Sequence, residues 1–383
     1  MKKNNQKYLL PIGFYDLLDS ECKINQESTE ILLKKFTDFG YHLIKPPLVE
    51  FEEILGANKK LAMQSFKIVD IFSNKTLIIR SDITTQISRL LATRLQKENL
   101  PLRLCYVGDV LKIKNDDLYA DRQLTQAGIE LIGSDSVLAN QEVIEIILAG
   151  IAAINLPNLL IDFCLPQFLE ALLSELKINK NDDLKKAITS KNISMIRKLG
   201  GKFANHLITL TLEINDLALI KKTLSALPIS KNLLQNIDQL QKIINKIKKN
   251  YPNLAMSVSI FGDEDFLYHQ QIGFTIFEEG FLYPIARGGR YKINGEIAAV
   301  GGTIYMNHLR KILVGKGANN KKKIILLPTN FSVQEAQELH KQDYITVNSL
   351  IEDGKISEEK MNIEAKKLGC GFIFYNQKIK SVS

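Results

Sequence analysis

Strand patterns on both sides of a long helical block constrain this chain more than any other feature of its sequence. From Pro166 to about Asn250, the segments LEALLSELK, LKKAITS, ISMIRKLGG and LLQNIDQLQKIINKIKK place apolar residues at helical spacing with few aromatics. Before that block, YHLIKPPLVEFEEIL reads as a strand whose middle is bent or confined to an edge by Pro46 and Pro47. FKIVDIFSNKTLIIRSDIT reads as two strands joined at Ser73-Asn74-Lys75, and Leu102 to Gly133 as a strand, a loop and a returning strand. Helices are expected from about Glu21 to Gly40, with Ile31, Leu32, Phe36 and Phe39 on one side, from Asp82 to Lys97, and from Gln141 to Ile154. After the block, LAMSVSIF, IGFTIFEEGFLYPIAR and EIAAVGGTIY restore strand patterns. Most of these strands lack the spacing of βαβ units. The expected fold is therefore α+β, a mixed and mainly antiparallel sheet with flanking helices. The block at about 166–250 is then a helical insertion within a domain spanning 1–320. GKGANNKKK reads as a linker, and residues 321–383 alternate strand and helix patterns as a small C-terminal α/β domain does.

Several functional classes are excluded early. The N-terminus MKKNNQKYLLPIG lacks the apolar core of a signal peptide, and no run of about 18 apolar residues marks a membrane span. Cys22, Cys105, Cys164 and Cys370 are scattered, form no CxxC pair, and read as reduced thiols of a cytoplasmic protein. The net charge is +8, yet only nine basic residues are arginine and the lysines are spread over helix faces. A nucleic-acid partner is thus unsupported. There is no GxxxxGK[ST], GxGxxG, HExxH or GxSxG motif, so no cofactor or metal is expected.

Four segments carry the candidate chemistry. IRSDITTQ places Asp82 and Thr84 at a strand-to-helix turn, where a carboxylate and a hydroxyl together satisfy the donors of an ammonium group. A helix N-cap is the plainer alternative, and both roles are compatible. DRQLTQAGIELIG places Gln126 and Glu130 four apart in a strand, hence on one face and able to reach one pocket; a polar edge strand is the plainer alternative. FLYHQQIGFTIF and YPIARGGRY bring Tyr268, His269 and Tyr291, with Arg287-Gly288-Gly289-Arg290 read as a tight turn flanked by cations. AAVGGTIYMNHL is a glycine-rich strand entering a helix.

These segments resemble histidyl-tRNA synthetases, a class II synthetase family, over roughly residues 8 to 312. IRSDITTQ is similar to their LRPEGT turn, and DRQLTQAGIELIG matches RQFHQxGxExxG at Arg122, Gln123, Gln126, Gly128, Glu130 and Gly133. The resemblance implies a histidine-binding set of Asp82, Thr84, Gln126, Glu130, Tyr268, His269 and Tyr291. It also implies a degenerate ATP site. Lys112 and Lys114 stand where the second class II motif has arginine and glutamate, Glu264 where a catalytic arginine is used, and His308 where the third motif has arginine. A carboxylate cannot stabilise charge developing on a phosphate, and a histidine is no fixed bidentate cation. The opening LLPIGFYDLLDSE is similar to the synthetase family opening LPxGxxDLLPxE, and the phrases LIIRSDITTQISRLLATRL, LRLCYVGDVL and PIARGGRY resemble a non-aminoacylating branch, the regulatory subunits of ATP phosphoribosyltransferase. That resemblance implies a homodimer within a hetero-octamer, a short catalytic ATP phosphoribosyltransferase as partner, histidine as feedback effector, and no catalytic activity of the chain's own. GYHLIKPPLVE is similar to the first class II motif, which implies a homodimer interface. A divergent histidyl-tRNA synthetase is the alternative, and a paralogue reading another amino acid is a third.

Overall fold

Helix α1 (Asp19–Asp38) buries Ile24, Ser28, Leu32 and Phe36. Ile31 and Phe39, expected on that side, are exposed. The buried set recurs every four residues along one stripe; Ile31 is one residue out of step with it, and Phe39 lies past the helix end. A computed structural model describes residues 9–55, 63–114, 121–178, 182–213, 215–261, 269–315, 323–351 and 357–382. By its internal contacts the chain divides into two units, Met1–Lys316 and Gly317–Ser383.

In the first unit, β1 (His42–Leu43) and β2 (Val49–Phe51) are separated by Pro46 and Pro47 and belong to different sheets. Proline cannot donate to a ladder, so the pair turns the chain out of one sheet and into the next. β2 joins β3 (Lys67–Asp70) and β4 (Lys75–Ile79) in a three-stranded antiparallel sheet of order β2-β4-β3. The β3–β4 turn places Asn74 at φ 57°, a conformation asparagine tolerates better than most residues. Helix α2 (Thr84–Thr93) follows, then β5 (Leu102–Leu111), β6 (Gln123–Ile132) and α3 (Val137–Ala153).

After β7 (Leu159–Cys164) come α4 (Phe168–Glu175), α5 (Asp182–Thr189), α6 (Ile193–Leu199), α7 (Ala204–Leu212), α8 (Leu217–Ser225) and α9 (Lys231–Asn250). Side chains of Asn192, Asp216 and Ser230 accept backbone N–H groups at the starts of α6, α8 and α9, which is why those polar residues open them. The sheet resumes with β8 (Ala255–Ser259), β9 (His269–Glu278), β10 (Ala286–Ile293) and β11 (Ile297–Tyr305), and α10 (Met306–Gly315) closes the unit. The main sheet has the order β1-β5-β6-β11-β10-β9-β7-β8. Only its edge pairs, β1 with β5 and β7 with β8, run parallel. It is the mixed, mainly antiparallel α+β sheet expected from the sequence.

The two faces of this sheet differ. One is apolar, with Cys105, Ala127, Ile129, Leu131, Val300 and Ile304 buried against α1, α3 and the helical block. The other carries α2, whose Ile87 and Leu91 pack on Leu104, Ile132, Tyr291 and Ala299, and beside it a row of polar side chains. RGGR corrects the sequence reading. It is no turn but the centre of β10, hydrogen-bonded on both sides. A Cβ on Gly288 would lie 2.4 Å from the Gly301 carbonyl oxygen and from the Phe274 ring, so glycine serves close packing there. The real turn follows at Asn294 and Gly295, both at positive φ.

The second unit has the sheet order β13-β12-β14-β15, from β12 (Lys323–Leu327), β13 (Tyr344–Asn348), β14 (Phe372–Tyr375) and β15 (Lys378–Ser381). Helix α11 (Val333–His340) covers Ile325 and Leu327 on one face, and α12 (Glu358–Lys367) covers Leu326 and Ile373 on the other. Burial on both faces explains why Ile324 to Leu327 form a continuous apolar run.

Candidate functional site

Sheet register builds the site. Gln126 and Glu130 alternate with Gly128 on β6, and their cross-strand neighbours are Gly108, Tyr106 and Leu104 on β5 and Tyr305, Thr303 and Gly301 on β11. Opposed residues of an antiparallel pair point to the same side, so these nine share the face that α2 covers. Two glycines there make space for neighbours. A Cβ on Gly301 would sit 1.8 Å from Glu130 Oε2, and one on Gly128 would sit 2.5 Å from the Tyr106 hydroxyl. The carboxylate of Glu130 therefore lies over bare backbone.

Glu130 is fully buried. Its Oε1 accepts from Thr84 Oγ1 at 2.9 Å and from the Tyr106 hydroxyl at 3.3 Å, and its Oε2 accepts from the Tyr291 hydroxyl at 2.7 Å. Burial raises its pKa from 4.5 to about 7, although the Tyr291 and Thr84 hydrogen bonds pull the other way and nearby Asp82 adds to the rise. Tyr106, whose pKa burial also pushes up, shares its hydroxyl with Thr303 Oγ1 at 3.0 Å. Gln126 donates from Nε2 to Asp82 Oδ2 at 3.2 Å and accepts the Ile83 N–H at Oε1, which fixes its amide orientation. Asp82 Oδ1 accepts the Thr84 N–H at 2.8 Å. The N-terminal bond and the contact with Gln126 thus coexist in one carboxylate.

The structure brings together Asp82, Thr84, Gln126, Glu130 and Tyr291, five residues drawn from three separated sequence segments. Tyr268 and Glu264 lie outside the described residues, and His269 is placed only as the first residue of β9. Lys112 and Lys114 lie just past β5, the first half-buried and the second exposed. His308 is buried in α10, where Nδ1 donates to the Pro284 carbonyl at 2.7 Å and the ring packs among Phe281, Tyr283 and Tyr305. An imidazole held in this way is a packing element.

Sequence reasoning missed Tyr106, Thr303 and Arg80. Tyr106 reads as one more apolar residue of a strand, and Thr303 reaches it only through register. Arg80 lies buried against Gly108, donating to the carbonyls of Asp109 and Pro46, and holds the chain where it enters α2. The IRSD phrase contained that signal, since an arginine just before a buried helix start needs acceptors close by.

The family model for histidyl-tRNA synthetase matches residues 13–309. An ATP phosphoribosyltransferase regulatory subunit of Paramagnetospirillum magneticum is 32% identical over 374 residues, 97% of each chain. The chain belongs to the ATP phosphoribosyltransferase regulatory subunit family. Two solved structures share its fold. One, described as an ATP phosphoribosyltransferase regulatory subunit/histidyl-tRNA synthetase from Bacillus halodurans, has a TM-score of 0.76 at 21% identity, covering 93% of this chain and 96% of that one. The other is a chain of the HisG:HisZ ATP phosphoribosyl transferase complex from Thermotoga maritima, with a TM-score of 0.57 at 19% identity, covering 74% of this chain and 97% of that one. This regulatory-subunit chain thus has a class II synthetase-like core with a polar cluster buried on one sheet face. Among the described residues, no helix is long and apolar enough to cross a membrane.

Proposed function

We propose that this chain is the non-catalytic regulatory part of an ATP phosphoribosyltransferase, required for the first step of histidine biosynthesis, and that its buried cluster binds histidine as the feedback effector. Its partner is a short-form catalytic ATP phosphoribosyltransferase, met by a homodimer of this chain within a cytoplasmic hetero-octamer. The observation that carries the histidine reading is the joining of Asp82, Thr84, Gln126, Glu130 and Tyr291 in one buried cluster. Asp82 and Gln126 suit an ammonium group, which offers donors only. Glu130 with Tyr291 suits an imidazole N–H, and its raised pKa lets it trade a proton with a ring that titrates in the same range.

Two observations support an absence of activation chemistry. A reaction at a phosphate needs fixed positive charge beside the developing negative charge, and His308 is committed to Pro284 and three aromatic rings. Lys112 and Lys114 do not replace a planar guanidinium and a carboxylate acceptor. For assembly, the β3–β4 hairpin exposes Val69, Ile71 and Phe72, the last 94% accessible, and exposed apolar clusters of this kind suit association.

Three measurements test this reading. Co-purification with a short catalytic ATP phosphoribosyltransferase should restore that chain's activity. Calorimetry should detect histidine but no tight binding of ATP. Histidine-dependent pyrophosphate exchange, or charging of tRNA by the purified chain, would sink the regulatory assignment and favour a divergent histidyl-tRNA synthetase.

A further inference from the structure

The cluster described above supplies carboxylates, hydroxyls and an amide, and a free amino acid brings a third group that these cannot neutralise: its own carboxylate. The same sheet face also carries a cationic residue. Arg287 on β10 lies directly opposite Thr303 on β11 and Thr275 on β9. Thr303 in turn touches Tyr106, which donates to Glu130. The adjoining row is glycine on three successive strands, Gly301, Gly289 and Gly273, in register across β11, β10 and β9. This bare floor begins beneath the Glu130 carboxylate. Tyr291 bounds it on one side, two residues along β10, and Arg287 with its two threonines bounds it on the other. Strands lie roughly 4.8 Å apart, so the glycine row runs about 10 Å across the three strands.

We propose that Arg287 recognises the α-carboxylate of the bound amino acid, with the Thr275 and Thr303 hydroxyls beside it. This assignment rests on the histidine reading and adds to it a group that selects amino acids over their decarboxylated or reduced analogues. Arg80, a buried guanidinium beside Gly108, donates to the backbone carbonyls of Asp109 and Pro46 and to the Gln86 side chain. A guanidinium suits the task because its planar fork pairs with both carboxylate oxygens. Asp162, one strand beyond Thr275 and bonded by the Ser257 hydroxyl, also faces this row. A purely structural role for Arg287 would be to balance that acid.

The test separates these roles with two ligands. The full chain, as wild type, Arg287→Gln and Arg287→Lys, is titrated calorimetrically with histidine and with histidinol, which carries CH2OH in place of the carboxylate. Wild type should prefer histidine. Arg287→Gln should weaken histidine by about 10- to 100-fold, the loss expected for a charge-assisted hydrogen bond, and leave histidinol unchanged. Arg287→Lys, which keeps the charge and loses the fork, should fall between. Equal weakening of both ligands, or no change in either, would overturn the assignment while leaving the histidine pocket intact. If wild type binds neither ligand, the pocket reading itself fails and takes this assignment with it. Unaltered unfolding midpoints of the unliganded variants would show that the fold is kept, and a collapse of both midpoints would assign Arg287 to the fold and not to the ligand.

Discussion

Replacing Glu130 with glutamine should stabilise the unliganded chain, and only above acidic pH. Burial raises this carboxyl from 4.5 to about 7. Below about pH 4.5 it is neutral in folded and unfolded chains alike, so burial carries no ionisation penalty. Between pH 4.5 and 7 only the unfolded chain ionises, and the penalty grows with pH. Above about 7 both forms are ionised and the penalty is constant. At ~1.4 kcal/mol per pH unit, the full effect is about 3 kcal/mol. Glutamine removes the charge and keeps one acceptor, while its new NH2 requires Thr84, Tyr106 or Tyr291 to rotate a hydroxyl and accept. Imperfect geometry returns part of the gain, so a net stabilisation of roughly 1–3 kcal/mol is expected at pH 8 and close to none at pH 4.5. Urea unfolding of both proteins at each pH, followed by circular dichroism, reads this directly. A gain independent of pH, or a variant less stable than wild type at pH 8, would refute the account of Glu130 as a buried, costly carboxylate. The same variant should bind histidine weakly, which sets stability and ligand grip in opposition at one residue.

Further outcomes follow from the same geometry. Tyr291→Phe removes a donor that lowers the Glu130 pKa, so the midpoint of histidine binding against pH should move upward and affinity should fall about tenfold. Gly301→Ala places a Cβ against Glu130 Oε2 and should cost about 1–3 kcal/mol in unfolding free energy and abolish binding. Glu50→Ala strands Gln86 and Arg89 of α2, which donate to its Oε1 at 2.7 and 2.8 Å, and should lower stability by about 3 kcal/mol in urea titration.

Much of the site was legible because its residues come in local pairs. Asp82 and Thr84 share a turn, and Gln126 and Glu130 share a strand face through simple alternation. The fold class followed from where strand patterns stop and resume. What remained hidden depends on register between distant strands. Nothing near Tyr106 announces that Gly128 lies opposite it, or that Gly301 leaves room for Glu130. The RGGR segment misled for the same reason. Paired glycines between charged residues are a turn signal locally, and only the neighbouring Gly301 and Phe274 show that Gly288 serves close strand packing. In α1 the apolar content was right and the facing was not, since Ile31 is one residue out of step with the stripe that meets the sheet.

The cluster also has a physical connection to the rest of the unit through α2. Thr84, the first residue of that helix, bonds Glu130, while Gln86 and Arg89 on the same helix bond Glu50 of β2. Arg80, just ahead of it, ties the helix entrance to the Pro46 and Asp109 carbonyls. β2 belongs to the small sheet whose β3–β4 hairpin exposes Val69, Ile71 and Phe72. A ligand that draws on Asp82 and Glu130 therefore bears first on the start of α2, and α2 cannot shift without straining the buried Glu50 contacts. The unliganded cluster already holds a carboxylate that burial disfavours. A ligand offering donors to Glu130 relieves that cost, and this relief is the differential free energy that any change of state in the assembly requires.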